Sequence, residues 1–215
     1  MNCGDVTMEK VEGQLWTRQL SRWAGVAAVL GGLLFVLAAV LHSMEPVGCI
    51  GLECETRAMR SAPGIVSILG LAASLFTLIG IAGLTLLTRQ SGRHKRLADA
   101  GLISVTAGFT ILLLGALIQT VFYGGDFPWI PFFVLPGTLG VIIGFVFIGV
   151  FILRSRVLPR WLGIFLGVSS VVLLAANEQT AAVLLAIPFG LAVATMGFFM
   201  WTSGERPHAR AAAGG

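Results

Sequence analysis

The chain has 215 residues, of which 56% are hydrophobic and only 11% charged, with a formal net charge of +4. Soluble domains carry about 25% charged residues, so this composition excludes an ordinary soluble fold. The positive charge falls in short segments between apolar runs, which excludes a nucleic-acid surface and points to membrane orientation instead.

Residues 1–22 are mixed and polar. A short amphipathic helix over 6–20, with Val11, Leu15 and Trp16 on one side, and a disordered tail are both compatible with them. Residues 23–41 form the first apolar run. It is too long for the core of a cleavable signal peptide and follows a polar leader, so it reads as a signal anchor. The connection from His42 to Ala62 is the longest, with Glu45, Glu53, Glu55, Arg57 and Arg60. It also holds Cys49 and Cys54, compatible with a disulfide closing the loop in an oxidising compartment or with two free thiols. The Cys-x4-Cys spacing differs from the Cys-x2-Cys of thiol-exchange sites.

A helix rises about 1.5 Å per residue and the hydrocarbon core is about 30 Å thick, so roughly 20 apolar residues cross it. Runs at 63–87 and 97–122 meet that length, joined by the basic turn Arg89-Gln90-Ser91-Gly92-Arg93-His94-Lys95-Arg96. Gly101, Gly108 and Gly115 recur at nearly two helical turns and so mark one stripe where another helix packs closely. The turn after them contains Gly124, Gly125, Pro128 and Pro131 and excludes a continuous helix. A fourth run, 132–153, carries Pro136 as a kink or as the true helix start, and a small-residue face at Gly137, Gly140 and Gly144. The fifth, 161–176, opens with Gly163 and Gly167. Asn177-Glu178-Gln179 turns into the sixth, 180–201, where Pro188 predicts a kink and Gly190 and Gly197 another stripe. Residues 203–215 read as a basic tail.

Alternate connections divide the basic residues unevenly. Lys10, Arg18, Arg22, Arg89, Arg93, Lys95, Arg96, Arg154, Arg156, Arg160, Arg206 and Arg210 fall on one side, and Arg57 and Arg60 on the other. The positive-inside rule then gives an all-α polytopic membrane protein with six transmembrane helices and both termini cytoplasmic. Trp23, Trp161 and Trp201 at the inner ends and Trp129 at the outer one form an aromatic belt.

The spans hold no Asp, Glu, Lys or Arg near their centres, where ionisable groups mark proton relays and ion paths. Asp99 sits at an inner helix start, where an acid suits the helix dipole. The histidines, His42, His94 and His208, do not meet at one depth as paired haem ligands would. No nucleotide loop, zinc-helix motif or nucleophile elbow stands in a suitable context. No catalytic, cofactor or metal site is therefore expected. Gln119 is the least ordinary residue within a span and pairs most simply across helices. A polar pocket, if built, would draw on His42, Gln119, Tyr123 and Asn177, which share the outer side.

Leu20-Ser21-Arg22-Trp23-Ala24-Gly25 matches Leu158-Pro159-Arg160-Trp161-Leu162-Gly163, each at the inner start of a span. At the latter segment, followed by an apolar hairpin and a basic tail, the chain resembles uncharacterised bacterial multi-pass membrane proteins of the domain-of-unknown-function class. That resemblance implies a six-helix plan in a bacterial cytoplasmic membrane and no settled activity. The leading expectation is an accessory or structural subunit, bound to membrane lipids and to itself or another membrane protein through glycine-rich faces. A transporter or binding protein for a small neutral or amphiphilic molecule is the alternative. A membrane redox or lipid-modifying enzyme has the least residue-level support.

Overall fold

A computed structural model describes residues 5–48, 64–89, 95–123, 129–155 and 157–203. The described residues form helices without strands: α1 (Asp5–Ser43), α2 (Gly64–Arg89), α3 (Lys95–Phe122), α4 (Pro131–Ser155), α5 (Arg160–Val172) and α6 (Ala186–Ser203). In lipid a helix satisfies its own backbone N–H and C=O groups, so long uncharged runs have no better option. Five stretches are long and apolar enough to cross a membrane: Gln19–Ser43, Gly64–Leu86, Arg96–Gln119, Pro131–Ser155 and Ala181–Thr202. The chain is an all-helical polytopic membrane protein.

Three elements differ in detail from the sequence expectation. The first helix begins at Asp5 and runs without interruption into the first span. The fifth ends at Val172 and continues only as a 3-10 turn, Leu173–Ala175, before Ala176 turns extended at φ −69° and ψ 128°. At about 1.5 Å per α-helical and 2.0 Å per 3-10 residue, this element is about 25 Å long, some 5 Å short of the hydrocarbon thickness. Before α6, Thr180 caps a 3-10 turn, Ala181–Leu185, by accepting from the Ala182 N–H at 3.1 Å. Pro188 thus lies in the first turn of α6, where its missing N–H costs least, and marks the change from 3-10 to α geometry. Pro136, by contrast, is inside α4, which starts at Pro131 and runs through it.

Alternating helix directions give the bundle two ends. Arg22, Arg96, Arg154 and Arg160 belong to one, with exposed Trp23, Trp161 and Trp201. His42 and exposed Trp129 belong to the other. α1 packs broadly on α2 and α6, and α4 packs broadly on α3 and α5. The α2/α3 and α5/α6 contacts that join these two sets are much smaller. The architecture is therefore two three-helix layers, α2-α1-α6 and α3-α4-α5, meeting along a seam.

Within each layer neighbouring antiparallel helices lie in backbone contact. A Cβ on Gly25 would stand 2.8 Å from the Gly197 carbonyl oxygen, and one on Gly190 2.7 Å from that of Gly32. In the other layer, a Cβ on Gly108 would stand 2.6 Å from the Gly137 carbonyl oxygen, and one on Gly144 2.8 Å from that of Gly101. The approach lets the Ser104 hydroxyl donate to the Gly140 carbonyl at 2.8 Å, a bond between helices. Gly31 meets Thr77 of α2, and Gly163 meets Gly149 of α4. Gly167, one turn after Gly163 and noted with it in the sequence, has nothing within 4 Å of a built Cβ. Gly108→Val should therefore lower stability by roughly 1–3 kcal/mol through forced separation of α3 and α4. Gly167→Ala should leave it within about 0.5 kcal/mol. Detergent-phase thermal unfolding followed by size-exclusion chromatography reads both; equal losses would contradict the pairing.

Candidate functional site

Two places combine unusual chemistry with an unusual position. The first is the junction at the His42 end. His42 closes α1, and its side chain is 4% exposed. Its Nε2 stands 3.1 Å from the Glu178 carbonyl oxygen, 136 positions away in sequence. A carbonyl only accepts, so Nε2 is the donor in this bond. Nδ1 is buried with no hydrogen-bond partner among the described residues. Beside this bond the Gly48 N–H donates to the Gln179 carbonyl at 2.9 Å. The turn itself is set by Asn177, whose Oδ1 accepts the Gln179 N–H at 2.8 Å and whose carbonyl accepts the Thr180 N–H at 3.2 Å. The chain leaving α1 is thus fastened to the turn between α5 and α6.

This junction brings together two of the four residues predicted for a polar pocket, His42 and Asn177, through the turn they share. Gln119, half-buried, and Tyr123, 49% exposed, belong to the same end of α3, in the other layer. Cys49 and Cys54 lie outside the described residues, as do residues 90–94 of the basic turn, 124–128 and the tail from 204. Among the described residues no group of three or more His, Cys, Asp and Glu is placed to hold a metal ion.

The second place is the seam. Phe35 of α1 stacks on Phe109 of α3 with centroids 6.4 Å apart, and Phe145 of α4 meets Phe189 of α6 edge-on at 4.7 Å. Phe35 also contacts Phe189 edge-on at 5.6 Å, which links the two pairs into one aromatic cluster near mid-span. From this level toward the arginine end the seam is filled. Leu84, Ala98, Val105, Ile148, Leu162 and Met200 are buried in one core, and Trp161 of α5 contacts Phe199 of α6 at 5.8 Å.

Toward the His42 end the layers part. Leu113, Leu114, Leu117, Val121 and Phe122 of α3 are exposed, as are Phe132, Val134 and Leu135 of α4 and Ile65, Ile68 and Leu71 of α2. The α3/α4 tip keeps its own contact, Gly115 against Phe133. A shallow groove of about 560 Å³ runs along the middle of α3, lined by Leu102, Ile103, Thr106, Ala107, Thr110 and Ile111.

Sequence reasoning missed the seam aromatics because a Phe within a span has no distinctive spacing. It also missed Thr77, fully buried, whose Oγ1 has no hydrogen-bond partner among the described residues and faces the bare Cα of Gly31. The signal for Thr77 was present: a small residue one helix away leaves room for a hydroxyl to face a Cα–H donor.

His42→Ala should cost about 2–4 kcal/mol, since it opens a void and strands the Glu178 carbonyl. Asn177→Ala, which loses only the local turn bond, should cost about 1 kcal/mol. Reversible unfolding in mixed micelles measures both, and the reverse order would contradict the junction. No family of known proteins, no curated protein and no solved structure matches the chain.

Proposed function

We propose that the protein crosses a bacterial cytoplasmic membrane six times, with its arginine end and both termini in the cytoplasm. There it binds and moves a small neutral or amphiphilic molecule along the seam between its two layers. The observation that carries this reading is the gradient of packing along the seam, tight from the aromatic cluster to the arginine end and parted toward the His42 end. A helical subunit with a purely structural role has no need for such a gradient. The surfaces that face the parted end are apolar, among them Ile65, Ile68, Leu113 and Leu117, which suits an uncharged ligand.

Support for the sixth crossing comes from α5. It begins at Arg160 and Trp161, residues that anchor at an interface, and ends at a polar turn. A locally thinned bilayer accommodates its short length at modest cost. The asymmetry of Lys and Arg supports the sidedness. Cysteine-substituted positions 94 and 206 should react with an impermeant thiol reagent only after the cytoplasmic face is opened. Labelling of either one from outside would overturn the topology.

The subunit reading keeps one observation in its favour, the exposed apolar tip of α3 and α4. Its original support, the glycine faces, is absorbed within the chain, since Gly25, Gly32, Gly101, Gly108, Gly137, Gly144, Gly190 and Gly197 all face other helices of the same chain. Native mass spectrometry after mild-detergent extraction separates the two. A monomer retaining a small amphiphile, displaced when Leu117→Trp fills the parted end of the seam, is the expected result. A stoichiometric complex with another membrane protein and no retained small molecule would favour the subunit.

A further inference from the structure

We infer that the chain is an inverted repeat of one three-helix unit, α1-α2-α3 followed by α4-α5-α6, and that the two copies exchange conformations so that the seam opens at alternate ends. Three spans per unit place the second copy upside down in the membrane, so equivalent residues lie at opposite depths.

The residues of the helix pairs carry the correspondence. In α3 the sequence Gly-Leu-x3-Thr-x-Gly-Phe occupies 101–109, and in α6 the same pattern occupies 190–198. In α1 the positions Gly25, Ala28, Val29, Gly32 and Phe35 recur in α4 as Gly137, Gly140, Val141, Gly144 and Phe147. In the middle helices, Leu69-Gly70 recurs as Leu162-Gly163. At the same offset buried Ala73 and Thr77 correspond to buried Leu166 and Ser170.

Packing supplies an independent check. Gly25 meets Gly197 and Gly32 meets Gly190; replacing each residue by its equivalent gives Gly137 with Gly108 and Gly144 with Gly101, which are the contacts found. The layers obey the same exchange: α1, between α2 and α6, corresponds to α4, between α5 and α3. The thin contacts, α2/α3 and α5/α6, also correspond to each other. Glycine spacing alone would place neither the Thr and Phe identities nor the order of the layers. The earlier match of Leu20–Gly25 with Leu158–Gly163 joins α1 to α5, which are not equivalent, and reflects shared interface chemistry.

Symmetry of sequence is not matched by symmetry of state. The α2/α3 seam is parted at the His42 end, while its equivalent, α5/α6, is closed at the arginine end by Trp161 against Phe199. Two copies of one unit in two conformations have a second arrangement of similar energy in which the roles are exchanged. That arrangement opens the arginine end and closes the His42 end. The exchange rests on reading the seam as a path, but motion and ligand retention are measured separately, so either can fail alone.

The test is double electron–electron resonance on the full chain in nanodiscs, with Cys3, Cys49 and Cys54 replaced by Ser. One spin-label pair, Leu71→Cys with Leu113→Cys, spans the α2/α3 seam. Its repeat equivalent, Ile164→Cys with Thr202→Cys, spans the α5/α6 seam. None of the four side chains is buried, so labelling leaves the core intact. Each pair is expected to give the same long and short distances, with the long fraction of one equal to the short fraction of the other. A single distance at each pair, or fractions that vary independently, would overturn the exchange.

Discussion

In hydrocarbon, apolar side chains gain nothing by leaving lipid for one another, so helices hold together only where their backbones come close enough for dense van der Waals contact. In this protein that condition is met inside both layers, for α1 against α6 and α3 against α4, and also for α1 against α2 and α4 against α5. In the first two of these, glycines seven positions apart on one helix face the same pattern on an antiparallel partner. Each layer is thus one rigid unit. α2 and α5 attach to the outer sides of α1 and α4, completing two layers, and the layers then meet through side chains rather than backbone.

That difference in bonding separates what is fixed from what is adjustable. A backbone contact cannot slide, because any Cβ in its path strikes main chain. A seam of Phe, Leu, Ile and Met side chains can repack, since these residues exchange rotamers and offset stacking geometries at a cost of order 1 kcal/mol per aromatic pair. The aromatic cluster of Phe35, Phe109, Phe145 and Phe189 sits where the packed half of the seam gives way to the parted half. It is the natural pivot for any relative tilt of the layers. The His42 junction restrains such tilts within one layer, because it ties the end of α1 to the turn entering α6 and leaves the α3/α4 tip independent.

The membrane character and the long spans were legible in the sequence because length and charge exclusion are local properties. So were the glycine stripes and the tryptophan ends, since a period of seven and a residue at a boundary need no knowledge of neighbours. The pairing of stripes was not legible: Gly101 and Gly108 announce a contact without saying that Gly137 and Gly144 provide it. The shortness of α5 was hidden because Leu173, Leu174 and Ala175 are as apolar in a 3-10 turn as in an α-helix. Of the polar residues singled out, His42 and Asn177 converge through the backbone carbonyl of Glu178, a group that no side-chain pattern reveals. The repeat escaped notice because its two copies run through the membrane in opposite senses, and a comparison of span beginnings aligns helices that are not counterparts.

One consequence concerns the first helix. α1 is a single rod from Asp5 to Ser43, and the part ahead of Gln19 carries it about 20 Å past the arginine end at 1.5 Å per residue. Because α1 is clamped in backbone contact on α6, this projection works as a lever arm attached to one layer alone. A small angular change between the layers is therefore magnified at its tip.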